Sequence, residues 1–227
     1  MGKLSVVATP IGNLEDVTLR ALRTLRECDV VACEDTRMTK KLLMHFDITT
    51  SAIAFHSNSG ERGFAKILAL LEEDKHVALV SDAGTPGVSD PGLELVSRVR
   101  EHFGDNVTIE AIPGPSALAA ALSIAGLRVA TFAFYGFLPL KKGRETLFKE
   151  IAESKRASVF YESSHRIVKA LEALAGRLPE SRRIGVYREL TKLHEEALVG
   201  SASEVLARTQ ADSNKQRGEF VVIVEAM

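Results

Sequence analysis

Cysteine is scarce in this chain. There are two among 227 residues, Cys28 and Cys33, at the ends of the apolar run Asp29-Val-Val-Ala-Cys33. Neither has the Cys or His companions that a zinc site needs. Both read as reduced core thiols of a cytoplasmic protein. No apolar run approaches the ~20 residues of a membrane span, so no membrane partner is expected. Leu4 to Ala8 is too short for the apolar core of a cleavable signal. Neither GxGxxG nor GxxxxGK[ST] occurs, which disfavours ordinary dinucleotide and P-loop phosphate binding. Neither GxSxG nor HExxH occurs, so hydrolase readings lack support. There is no internal repeat and no low-complexity segment. The net charge is only −1, but it is unevenly divided. Residues 1–114 hold 12 Lys and Arg against 17 Asp and Glu, a net −5, and residues 115–227 hold 17 against 13, a net +4. A basic half suggests contact with a polyanion, with a mixed solvated surface as the alternative.

What is present is a set of constrained loops. Ser81 to Gly92, SDAGTPGVSDPG, lies between the apolar run His76–Val80 and a helical pattern at Leu93, Val96 and Val99. Three Gly, two Pro, two Asp and two Ser in twelve residues exceed what a chain reversal needs. Glycine lets backbone approach a ligand and proline holds the loop in shape. Two further strand ends are alike: Leu4–Ala8 runs into Thr9-Pro-Ile-Gly-Asn13, and Val107–Ile112 runs into Pro113-Gly-Pro-Ser-Ala117. In open α/β sheets ligands bind beyond the carboxyl ends of strands, so the three loops are expected to converge on one crevice.

Up to Pro113 the pattern alternates: strands at 4–8, 30–33, 51–55, 77–80 and 107–112, helices at 19–26, 38–46, 64–72 and 93–101. This predicts a mostly parallel, doubly wound α/β sheet. From residue 115 a second α/β unit follows, with strands at 131–137, 158–161, 184–188, 197–199 and 220–225. Its helices are expected at 117–125, 145–153, 167–174 and 204–209, the last opened by the capping box Ser201-Ala-Ser-Glu204. Residues 188–197 can close a hairpin without a helix, so this sheet is expected to be mixed. The predicted domains are 1–114 and 115–227.

Four segments carry the chemistry. Glu34 and Asp35, at the end of the second strand, can accept a proton or bind a ribose hydroxyl; capping by Asp35 or Thr36 is the alternative. His56, after the third strand, reads as a solvated loop residue. Gly136–Arg144, GFLPLKKGR, puts Lys141, Lys142 and Arg144 beside Phe137 and Leu138, which look exposed; cations with an aromatic platform suit RNA. Tyr161–Arg166, YESSHR, ends a strand with Glu162, His165 and Arg166, and RELTKLHEE, Arg188–Glu196, places Lys192 on a hairpin.

These segments, with HSN at 56–58 and RGEFV at 217–221, resemble in order and over the full length the tetrapyrrole methylase superfamily. These are the class III S-adenosylmethionine-dependent methyltransferases. The resemblance is to the branch that methylates a cytidine 2′-hydroxyl in the decoding region of 16S rRNA. It implies two α/β domains, S-adenosylmethionine in the inter-domain cleft, a homodimer, and 16S rRNA, free or within the 30S subunit, as substrate. It also implies cofactor contacts at Pro10, Gly12, Asp82, Gly84, Thr85, Gly87, Ser116, Tyr161 and Leu190. The superfamily's Gly-Asp-Pro is Ser81-Asp82-Ala83 here, which departs from the tetrapyrrole enzymes at both flanking positions. RNA contacts are expected at Lys141, Lys142, Arg144 and Arg166. Glu34, Asp35 and Glu162 are candidate proton acceptors, and Lys192 a candidate for stabilising a developing alkoxide. Methyl transfer from a sulfonium requires no metal. Two alternatives stand beside this: a methyltransferase acting on a tetrapyrrole precursor, and an RNA-binding module without catalysis.

Overall fold

Short runs of Val, Ile, Leu and Ala between Gly- and Pro-rich loops form strands, and the central ones are buried on both faces. The computed structural model describes residues 2–56, 59–90 and 92–227. It divides into two compact units, Met1–Ser116 and Ala117–Met227.

Among the described residues, the first unit has five strands: β1 (Lys3–Val7), β2 (Val30–Cys33), β3 (Ala52–Ala54), β4 (His76–Leu79) and β5 (Thr108–Ile112). They pair in the order β3-β2-β4-β1-β5, every pair parallel. Helices α1 (Leu19–Glu27) and α2 (Thr36–His45) cover one face, and α3 (Gly60–Glu72) and α4 (Gly92–Phe103) the other. The period of two along β4 sorts the core. Val77 and Leu79 join Phe64, Ile67, Leu71, Leu95 and Val99, while Ala78 and Val80 join Ala21, Leu25 and Leu43. The chain turns in opposite directions on leaving β1 and β4, so the carboxyl ends of these neighbours flank a topological switch point, where open α/β sheets take ligands.

The second unit holds, among the described residues, α5 (Ala117–Ser123), β6 (Phe132–Phe137), α6 (Arg144–Glu153), β7 (Ala157–Ser163), α7 (Ile167–Ala175), β8 (Arg183–Arg188), β9 (Glu196–Ser201), α8 (Ala202–Gln210) and β10 (Glu219–Val224). The strand order is β6-β7-β10-β8-β9. Only β6 and β7 are parallel; the other pairs are antiparallel, so the sheet is mixed as the missing crossover helix predicts. One face packs Phe160, Val186 and Val222 against Phe148 and Ile151 of α6, Leu171 and Leu174 of α7 and Val205 of α8. On α8 the Ser201 hydroxyl accepts from Glu204 N–H, and the Glu204 carboxylate accepts from Ser201 N–H, which completes the capping box.

Cys28 and Cys33 are buried free thiols. Burial pushes Cys28 up to about 11 and also raises Cys33.

Candidate functional site

The loops that follow β1, β2, β4 and β5 are stitched to one another. Thr9 and Gly84 form an isolated bridge, with Thr9 N–H donating to Gly84 O at 2.9 Å and Gly84 N–H to Thr9 O at 3.1 Å. The Thr85 hydroxyl donates to Pro115 O at 3.0 Å, one residue before Ser116. Asp35 N–H donates to Asp82 Oδ1 at 3.0 Å, tying in the end of β2. Pro10, Thr85 and Ser116 are half-buried around this junction, while Gly12 and Asp82 are exposed. The convergence expected of three loops therefore exists, and the β2 end makes a fourth.

Glycine is required here on two different grounds. Gly84 is buried at φ +83°, and a Cβ there would lie 3.2 Å from Ile11 Cγ2 and 3.5 Å from Pro115 O. Gly87 has φ +89° but more room, with Leu93 N at 3.8 Å the nearest atom. Its constraint is the backbone angle, not close approach. Asp90, which the sequence reading passed over, sets that angle. Its Oδ1 accepts from Gly87 N–H at 2.8 Å and from Gly92 N–H at 2.7 Å. An Asp closing a turn onto the backbone is a signal that SDPG carries.

The two carboxyls at the end of β2 differ sharply. Asp35 is the N-cap of α2, accepting from Arg37 N–H at 2.8 Å and from its guanidinium at 2.7 Å. The Arg37 side chain, then its N–H, hold Asp35 down at about 2. The capping alternative thus describes Asp35, and Thr36 is the first helical residue. Glu34 is half-buried and shifted the other way, raised first by burial and then by the charges of Asp82 and Asp90. It is the more basic of the pair. His56 is exposed, as a solvated loop residue would be. Ser57 and Asn58, the rest of HSN, lie outside the described residues, as does Pro91.

In the second unit the structure revises several expectations. Leu138 is 1% exposed and belongs to the core, whereas Phe137 is 53% exposed. Phe134, Tyr161 and Phe137 meet edge to face, with ring centroids at 5.0 and 5.4 Å. Lys141 and Lys142 are exposed, as an RNA contact requires, but Arg144 and Arg166 are not open cations. Both reach the Glu162 carboxylate, Arg144 Nη2 at 2.7 Å from Oε2 and Arg166 Nε at 2.8 Å from Oε1. Ser163 N–H also donates to Oε1, at 2.8 Å. With both oxygens engaged and no side-chain surface exposed, Glu162 is closed to a substrate hydroxyl.

Lys192 is likewise occupied, donating to Glu189 Oε1 at 3.0 Å and Glu219 Oε2 at 2.7 Å. Burial works to lower its pKa, but these two carboxylates outweigh it and the net shift is upward. The buried Leu190 lies between Glu189 at φ +51° and Thr191 at φ +67°. Left-handed backbone at two non-glycine residues around one position is stored strain, which concentrates at functional sites. Neither Glu nor Thr announces it in the sequence.

A parallel, doubly wound unit with glycine-bearing loops bonded together at its switch point, followed by a mixed-sheet α/β unit, is the architecture of a class III methyltransferase. The family profile for tetrapyrrole (corrin/porphyrin) methylases matches residues 3–206, and the chain belongs to this family. Among its relatives are three proteins named ribosomal RNA small subunit methyltransferase I. That of Thermotoga maritima is 41% identical over 224 residues, spanning 99% of this chain and 98% of the relative. That of Synechocystis is 44% identical over 225 residues, 99% and 79%, and that of Bacillus subtilis 42% over 226 residues, 99% and 75%. Solved structures share the fold at lower identity. The methyltransferase CobJ superposes with a TM-score of 0.70 at 21% identity over 100% of this chain and 95% of that one. Uroporphyrin-III-C-methyltransferase from Thermus thermophilus gives 0.67 at 21% over 99% and 94%.

Proposed function

We propose that the protein transfers a methyl group from S-adenosylmethionine to the 2′-hydroxyl of a cytidine in the decoding region of 16S rRNA. It acts in the cytoplasm as a homodimer, with the RNA presented within the 30S subunit. The observation that carries this reading is the 41–45% identity, over nearly the whole chain, to proteins named for methylating small-subunit ribosomal RNA.

The first unit suits the cofactor. Four strand-end loops are bonded into one rim, and Gly84, with no Cβ, lets the loop after β4 pack against Ile11 and Pro115 within it. Glu34, Asp82 and Asp90 gather negative charge where a ligand with cationic sulfonium and ammonium groups would sit. Pro10, Gly12, Asp82, Gly84, Thr85, Gly87 and Ser116 would hold it from this unit.

When bound, the cofactor supplies a methyl group already activated by its positive sulfur. The protein's task is then chiefly alignment of an in-line attack. A ribose hydroxyl is a weak acid, so an acceptor at the attacking oxygen helps. Glu34 is the side chain we assign to it, because burial and neighbouring carboxylates raise its basicity. Asp35 is held at about 2 by Arg37 and takes no proton near neutrality. Lys141 and Lys142, exposed like Phe137 a few residues before them, are assigned to the RNA phosphates.

Mass mapping of 16S rRNA from a strain lacking this gene tests the reading. A decoding-region cytidine lighter by one methyl group is the expected result. An unaltered 16S rRNA overturns it.

A further inference from the structure

Glu162 looks in the sequence like a proton acceptor, yet its carboxylate is enclosed by two guanidiniums. We propose that Glu162 is a positioning residue that fastens the loop between β6 and α6 and so presents Phe137, Lys141 and Lys142 to RNA. The proposal deepens the RNA reading above and rests on it.

Each guanidinium spans from the carboxylate to a loop carbonyl. Arg144 reaches Glu162 Oε2 through Nη2 and donates from Nη1 to Pro139 O at 3.3 Å. Arg166 reaches Oε1 through Nε and donates from Nη1 to Leu138 O at 2.9 Å. A planar fork can serve two acceptors in this way, which a lysine ammonium does less well. Arg144 also lies over the Phe148 ring at 5.1 Å, holding the guanidinium against α6. The side chains of Glu162, Arg144 and Arg166 are 0%, 12% and 18% exposed, so this is interior bonding and not a surface ion pair.

The loop is pinned at both ends and open between them. Leu138 plugs the core at its start, and Gly143 at φ +86° turns the chain into α6. Between them Leu140, Lys141 and Lys142 face solvent, with Leu140 at 77% exposed. An unfastened loop must be ordered when it binds, and that cost is subtracted from affinity. Glu34, the proton acceptor proposed above, belongs to the first unit and not to this loop.

Glu162→Gln and Arg166→Lys test this. Four quantities are read: affinity for 30S subunits lacking the modification, single-turnover rate at saturating subunits, S-adenosylmethionine affinity by calorimetry, and amide hydrogen exchange over 140–144, where Arg144 N–H donates to Lys141 O at 3.2 Å. Both variants should bind subunits about tenfold more weakly and exchange faster over 140–144, with cofactor affinity and the saturated rate unchanged. A saturated rate reduced about 10²-fold or more with subunit affinity kept would make Glu162 the proton acceptor instead. Where Glu162→Gln does not fold, Arg166→Lys, which leaves the carboxylate and its charge in place, carries the comparison. The exchange measurement needs no RNA. Unaltered exchange in the folded variants overturns the fastening itself, whereas faster exchange in the variants with no subunit binding by the wild type overturns the RNA reading alone.

Discussion

Single residues in the first unit divide into those that shape the crevice and the one assigned to chemistry. Gly84→Val and Gly87→Val both force a branched residue to positive φ, where an L-residue is disfavoured by about 1–2 kcal/mol. At Gly84 the new side chain also meets Ile11. Both variants should remain folded and lose S-adenosylmethionine affinity in calorimetry, Gly84→Val the more completely. Wild-type affinity in either would remove that loop from the site. For catalysis, Glu34→Gln should lower the single-turnover rate by about 10²–10⁴, and Asp35→Asn by far less. In the proposed role Glu34 acts as a carboxylate, and its pKa is raised. The wild-type rate should therefore fall as pH drops through a value above the ordinary 4.5 of a glutamic acid, and Glu34→Gln should lose that limb. Full activity in Glu34→Gln would leave catalysis to alignment alone. Asp35 bears on stability instead. Its carboxyl is depressed, so its contribution is complete above its ordinary 3.8 and disappears as pH falls towards about 2. Acid unfolding of Asp35→Asn should lack that component.

At the scale of elements, strand-end loops and helix caps were legible in the sequence because their causes are local. The loop after β4 advertises itself through Gly, Pro and Asp, and Ser201 with Glu204 marks the start of α8 within four residues. The missing helix between β8 and β9 likewise gave the antiparallel pair. What stayed hidden depends on distant partners. Nothing in GFLPLKKGR says that Leu138 plugs a core built by Phe148 and Phe160, or that Arg144 turns inward to a carboxylate eighteen residues on. The strain at Glu189 and Thr191 was equally silent, because neither residue type favours left-handed backbone. This division sharpens the RNA prediction. Lys141→Ala with Lys142→Ala removes exposed charge and leaves Glu162 and its two arginines bonded. The pair should reduce the slope of log affinity against log salt for 30S subunits by about 1–2, with cofactor affinity intact. An unaltered slope would make this loop a solvated connection.

Across the whole molecule, the two units carry different parts of the proposed reaction. The acidic first unit offers the bonded strand-end loops and the more basic Glu34, and the second carries the exposed Lys141 and Lys142. Family membership establishes the methyltransferase fold, which RNA-modifying and tetrapyrrole-modifying enzymes share. The choice of acceptor is therefore the central claim, and it can be put to the purified protein directly. Radiolabelled S-adenosylmethionine is supplied with 30S subunits from a strain lacking the modification, with naked 16S rRNA, and with a tetrapyrrole precursor. The RNA is then digested to nucleosides for mass analysis. The account predicts label in 2′-O-methylcytidine from the 30S subunits and none in the tetrapyrrole. Label in the tetrapyrrole, or on a base nitrogen or carbon in place of the ribose oxygen, would contradict it.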